Sequence, residues 1–162
     1  FKERIREMKK PESFLKKPVK ILETMNQKKR NRLPTSETVV ETDAIKKNGN
    51  EWILLREGEI NYELTASQSE NRCVYVSVRG TPAYGIHPII EVIINGETRE
   101  FLYPDNSGWN IFEICSDFRV GVNDITLRFL NDGAFPELDS EGDIKRLLED
   151  RNVRISGIYQ NI

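Results

Sequence analysis

Seven carboxylates fall within nineteen residues towards the end of the sequence: Asp132, Glu137, Asp139, Glu141, Asp143, Glu149 and Asp150. Carboxylates at this density repel one another unless water, a cationic side chain or a metal ion offsets their charge. An all-oxygen set suits a hard cation such as calcium, which takes roughly six to eight oxygen ligands, backbone carbonyls included. The spacing is not that of an EF-hand, whose acids lie within about twelve residues around a central glycine. Composition alone leaves two readings open, a solvated acidic loop and a metal site. Asp132-Gly133 and Asp150-Arg151-Asn152 stand at the two ends of the segment, where adjoining strands would hold them rigidly.

Other chemistries find less support. Cys73 and Cys115 are isolated, without the close spacing of a zinc or redox motif. Each falls in an expected strand, where a buried free thiol acts as a small hydrophobe; a cross-strand disulfide is the alternative. His87 is the sole histidine, and no GxSxG or similar signature accompanies it, so a structural role in a loop is expected. A glycosidase would need two carboxylates facing each other across a cleft, which a small sandwich rarely offers.

These residues must be held by a fold, and the chain has 162 residues, 38% hydrophobic and 31% charged. That is room for one ordinary domain with a true core, plus an appendage. No run approaches the roughly 20 apolar residues of a membrane-spanning helix. The sequence starts at Phe1 without a signal-peptide pattern and reads as an excised fragment or a processed chain. Residues 1–32 carry twelve Lys or Arg against four Glu, a balance of +8; the remainder carries 12 basic and 22 acidic residues, a balance of −10.

The basic segment reads as helix. Phe1, Ile5 and Met8, then Phe14, Leu15, Val19, Leu22 and Met25, keep helical spacing around Pro11 and Pro18. It is expected to link this domain to a further one or to dock on the acidic remainder; membrane proximity is a second reading. Nucleic acid is not expected as a partner, because no aromatic residues interleave the charges for base stacking. Leu33-Pro34-Thr35-Ser36 reads as a linker. The domains are thus a basic helical extension with linker, 1–36, and a β-sandwich, 37–162.

From Val39 the pattern is of short strands bounded by turns. Val39 to Ile45 alternates weakly, Trp52 to Leu55 is a compact apolar run, and Ile60, Tyr62 and Leu64 alternate, as do Val74, Val76 and Val78. Ile89 to Ile94 meets Asn95-Gly96, a two-residue hairpin signal, and returns through Thr98 to Tyr103. Asn110 to Cys115, Ile125 to Leu130 and Val153 to Tyr159 complete the set. This predicts an all-β antiparallel sandwich, or jelly roll. Trp52 and Trp109 are expected in its core. Asn131 to Arg151 is expected as a long functional loop with a short helix, since Ile144, Leu147 and Leu148 sit at helical spacing.

Three stretches resemble the small calcium-dependent xylan-binding modules, carbohydrate-binding module families 36 and 60. They are Val76-Ser77-Val78-Arg79-Gly80-Thr81-Pro82-Ala83-Tyr84-Gly85, the strand Gly121 to Leu130 ending in Asn131-Asp132, and Asp150-Arg151-Asn152-Val153. The likeness covers about residues 72–160. It implies a calcium ion at the sheet edge that accepts two adjacent sugar hydroxyls, ligated by the Asp132 and Asp150 side chains and the Glu149 backbone carbonyl. Here the connection between Asn-Asp and Asp-Arg-Asn is longer than in the relatives. It can add ligands such as Asp139 or Asp143, cover the site, or replace sugar binding. Phe135 either offers an aromatic face to a sugar or packs under the loop, and Arg151 is expected to pair with a neighbouring carboxylate.

The expected function is therefore a non-catalytic, calcium-dependent module that binds a polysaccharide or oligosaccharide, accessory to a larger glycan-processing or polysaccharide-synthesising protein. The alternative is a sandwich that has lost calcium and binds a basic protein surface. An extracytoplasmic location suits the first.

Overall fold

The computed structural model describes residues 30–161. The expected helix lies, up to residue 29, outside them. Alternating apolar residues put one side chain in two on an inner face, which is what a half-buried strand requires. Leu64, Val74, Ile114 and Leu127, for example, are fully buried while their neighbours are not. The described residues form β1 (Arg30–Arg32), β2 (Ile45–Asn48), β3 (Glu51–Leu54), β4 (Gly58–Ala66), β5 (Glu70–Thr81) and β6 (Ile90–Ile94). They continue with β7 (Glu97–Leu102), β8 (Asn110–Phe118), β9 (Gly121–Phe129), β10 (Gly133–Leu138) and β11 (Ile144–Asn161). The predicted all-β, antiparallel sandwich is what forms.

One sheet runs β2-β3-β11-β5-β8, with β1 and β10 also paired to β11; the other runs β4-β9-β6-β7. The chain crosses between sheets at β3–β4, β4–β5, β5–β6, β7–β8, β8–β9 and β9–β10. The core between them is built from Trp52, Leu54, Ile60, Tyr62, Phe112, Phe118 and Phe129 with the aliphatic residues of the remaining strands. Asn95 and Gly96 both take positive φ, 49° and 81°, as the turn between β6 and β7 demands.

Several expectations are corrected. The stretch from Val39 to Ala44 is not a strand; pairing starts at Ile45. Leu33 to Ser36 is no free linker, since Leu33 is buried in the core and its N–H donates to Ile158 O. Thr35 bridges to Tyr62, and the Ser36 N–H donates to Asn61 O. A proline and two hydroxyl residues signal a linker locally, whereas the tie to β4 is non-local. Trp52 is core, but Trp109 precedes β8 and is 40% exposed, with the Arg154 guanidinium 5.9 Å from its ring.

The long loop is not a loop either, and it contains no helix. β10 and the first part of β11 form a hairpin whose tip, residues 138 to 149, is exposed on both faces. Two irregularities in pairing leave Lys145 and Leu148 without opposite residues. Each extra residue shifts the alternation by one, so the apolar positions 144, 147 and 148 mimic helical spacing. The charged side chains of Lys145 and Arg146 both meet Glu137 on one face. The exposed Leu138, Ile144 and Leu147 belong to the other.

The cysteines, expected as buried thiols, form a disulfide between directly opposed positions of β5 and β8. They lie on the outward side of the sheet, because the inward positions are taken by Val74 and Ile114. Adjacent strands bring such side chains close enough to bond. The bridge closes a loop between positions 42 residues apart, so its loss costs about 3 kcal/mol. Thiol titration of the unfolded, unreduced protein is expected to find no free thiol, and reduction to lower the melting temperature by roughly 10 °C.

Candidate functional site

The three segments singled out in the sequence meet at one end of the sandwich. Asn131 and Asp132 leave β9, residues 82–89 leave β5, and Asp150-Arg151-Asn152 is where β11 passes from the hairpin into the sheet. Arg151 pairs with Gly133 on one side, and Asn152 pairs with Thr81 on the other.

Two members of these motifs are structural. The Arg151 side chain is buried, 3% exposed, and burial pushes its pKa below the usual value while the charge of Asp132 opposes this. It is held by backbone oxygens: Nε donates to Ile86 O at 2.9 Å, Nη2 to Ala83 O at 3.0 Å and Nη1 to Asn131 O. The expected carboxylate partner is a near neighbour in charge; the hydrogen bonds go to carbonyls. Asn131, also buried, accepts from the Ile89 N–H at 2.6 Å and donates to His87 O at 3.0 Å. Both therefore clamp the 82–89 loop onto the strand ends. Gly80 lets that loop approach, since a Cβ there would lie 2.8 Å from Pro104 O and 2.9 Å from Pro88 Cγ. His87 packs edge-on against Tyr103, centroids 5.0 Å apart.

The carboxylates lie around this clamp. Asp132 is half-buried, and its Oδ1 is buried without a hydrogen-bond partner. Its pKa is raised, first by burial and then by the like charges of Asp150 and Glu57; the Gly133 N–H and the Arg151 charge oppose the shift. Asp150 Oδ2 accepts from Asn152 Nδ2 at 3.2 Å, which leaves the Asn152 Oδ1 buried and also without a partner. The Gly133–Arg151 pair ends the β10–β11 ladder, and Asp132 and Asn152 are each one residue beyond it along the chain. Two unsatisfied oxygens in a cluster of like charge are what a hard cation would relieve.

The remaining predicted residues are elsewhere. The Glu149 carboxylate is turned away, its Oε2 accepting from the Tyr84 N–H at 3.0 Å. Asp139 closes the hairpin tip, its Oδ1 accepting from the N–H groups of Glu141 and Asp143 at 2.9 and 3.0 Å. Asp139 and Asp143 thus sit about 20 Å along the hairpin from Asp132 by strand rise. Phe135 pairs through its backbone with Glu149; its side chain lies outside the described residues. Among those residues, the three-residue group with donor atoms within 4.8 Å of one another is Cys73, Glu113 and Cys115, and its sulfurs are consumed in the disulfide. Two contributors were missed: Asn152, inside a motif already noted, and Glu57, in the β3–β4 turn, which no local signal marks.

No family model matches the chain, and no curated protein matches it in sequence. Solved structures that it resembles include carbohydrate-binding modules. A family 36 module in complex with calcium and xylotriose aligns over 81% of this chain and 97% of its own, at 12% identity and a TM-score of 0.49. A family 36 module of a multidomain xylanase from the hindgut metagenome of Trinervitermes trinervoides covers 79% and 97%, at 12% identity and 0.47. A family 35 module from an environmental isolate covers 80% and 85%, at 14% and 0.40.

Two predictions follow from the clamp and the carboxylate. Arg151→Leu leaves the carbonyls of Ala83, Ile86 and Asn131 unpaired and is expected to cost about 3 kcal/mol or more in chemical denaturation. For Asp132, the folded state holds its proton to higher pH than the unfolded chain does. In chelator, its contribution to stability is therefore lost as pH rises from the ordinary carboxyl range through the raised pKa. Asp132→Asn is expected to flatten that part of the stability–pH curve, as read by melting temperatures in chelator across the range.

Proposed function

We propose that this chain is a binding module that holds calcium at the root of the β10–β11 hairpin and, through the ion, recognises adjacent hydroxyls of a sugar. The observation that carries the reading is the buried, unpartnered Asp132 Oδ1 set against the like charges of Asp150 and Glu57. Carboxylates kept together at such cost gain from a cation more than from water. Asp132 and Asp150 would supply anionic oxygens, Asn152 Oδ1 a neutral one, and Glu149 its backbone carbonyl. The resemblance of Asn131-Asp132 and Asp150-Arg151-Asn152 to the calcium-dependent xylan-binding modules supports the same assignment.

A calcium shell is flexible enough for two sugar hydroxyls to replace two waters, and their orientation selects the diol. A contact that small is weak by itself, so affinity on a polysaccharide would come from multivalency. That suits an accessory domain of a larger glycan-processing or polysaccharide-synthesising protein. The Cys73–Cys115 disulfide supports an extracytoplasmic, oxidising compartment.

Calcium titration followed by thermal shift tests the reading. Calcium at about 100 times its Kd is expected to stabilise by about 2.7 kcal/mol, with Asp132→Ala and Asp150→Ala each abolishing the effect. A glycan array with and without chelator then reads the sugar. If calcium leaves the melting temperature of the unmutated protein unchanged, the ion is not bound and the module reading loses its basis.

A further inference from the structure

At the far end of β11 the sandwich carries a second concavity, unrelated to the carboxylates. It is a pocket of about 170 Å³ lined by Arg32, Leu33, Pro34, Thr35, Lys47, Asn50, Trp52 and Tyr62. Tyr159, whose hydroxyl accepts from Arg32 Nη2 at 2.7 Å, lies nine residues beyond Asp150 on the same strand. That is about 30 Å by strand rise. The two sites do not share a residue.

The pocket combines three features. Tyr62 is 2% exposed, and its hydroxyl is buried without a hydrogen-bond partner. A phenol in that position costs free energy unless something accepts from it. Two cations stand at the pocket: Arg32, exposed and braced by Tyr159, and Lys47, exposed, its Nζ 5.4 Å from the centre of the buried Trp52 ring. Among the described residues no acidic side chain lines it; Glu41 Oε1 accepts from the Lys47 backbone N–H at 2.8 Å. Residues 33–162 carry 12 basic and 22 acidic side chains, so a concavity lined by cations alone runs against the charge of the body around it.

We propose that this pocket binds a small oxyanion, a carboxylate or sulfate group, by charge from Arg32 and Lys47 and a hydrogen bond from the Tyr62 hydroxyl. Its volume is well below the roughly 300 Å³ at which pockets for whole drug-sized ligands begin. It therefore takes the charged group and the part of the ligand next to it rather than a sugar chain. Arg presents a fork of donors and Lys a point charge, both suited to oxyanions. The Trp52 ring and Pro34 supply an apolar wall for the carbon to which the anion is attached. An acidic sugar residue and a free inorganic anion share this chemistry. The inference does not rest on the calcium reading.

The test is a titration in chelator, followed by NMR at the Trp52 indole and the Thr35 and Asn50 amides. The probes are inorganic sulfate, methyl glucuronoside and methyl glucoside. Saturable binding of the glucuronoside at least tenfold tighter than the glucoside is expected, weakening with salt and displaced by sulfate. Lys47→Gln, on an exposed position, and Tyr62→Phe, which removes only an unpartnered hydroxyl, are each expected to weaken it fivefold or more without lowering the melting temperature. Sulfate binding without preference for the glucuronoside over sulfate would assign a free-anion site instead of an acidic-sugar site, within the same proposal. Equal response to glucuronoside and glucoside, no saturation with either anion, or binding unchanged in both variants would overturn it.

Discussion

A guanidinium buried among backbone carbonyls is the constraint on which the candidate site depends. Arg151 cannot shed its charge, so its removal from water must be offset by hydrogen bonds of good geometry. It finds them on Ala83, Ile86 and Asn131, from two different segments. Those bonds fix where β9 ends, where the 82–89 loop lies and where β11 changes from hairpin to sheet. Asn131 completes the same knot through Ile89 and His87. Asp132, Asp150 and Asn152 hold their positions because their immediate neighbours in sequence are immobilised.

This explains why polar residues alternate in role along the two motifs. In Asp150-Arg151-Asn152 the middle side chain is buried while its neighbours are half-exposed, as the period of a strand requires. Asn131-Asp132 divides likewise into a clamp and a carboxylate. The cost of gathering carboxylates appears in the raised pKa of Asp132, and the clamp is what sustains that cost. The hairpin beyond is free of the clamp: its Glu137 meets Lys145 and Arg146, and its Asp139 closes the turn.

The second pocket reflects the same economy at the opposite end. Tyr62 lies in the core because its position on β4 points inward, and its buried hydroxyl feels the charge of Arg32. An amphipathic side chain in such a place meets both the apolar interior and a polar partner. Here the protein itself supplies cations around it and no acceptor to its hydroxyl.

Local pattern was enough for much of the fold. Alternation in Ile60–Leu64, Val74–Val78 and Ile125–Phe129, with Asn95-Gly96 between two strands, specifies antiparallel β structure because strand period and turn φ are properties of a few adjacent residues. Asp132 and Asp150 were singled out by their place at the two ends of the acidic segment and by the resemblance of the motifs that hold them. What sequence left undecided depends on partners far along the chain. The bulges at Lys145 and Leu148 hid a hairpin behind helical spacing, since a bulge is defined only by the opposite strand. Cys73 and Cys115 became a bridge only through the β5–β8 register, and Leu33 became core only through β11 and β4. Glu57, Asn152 and the pocket around Tyr62 were likewise decided by tertiary structure, because like-charge proximity and an unsatisfied oxygen exist only once distant segments have been brought together.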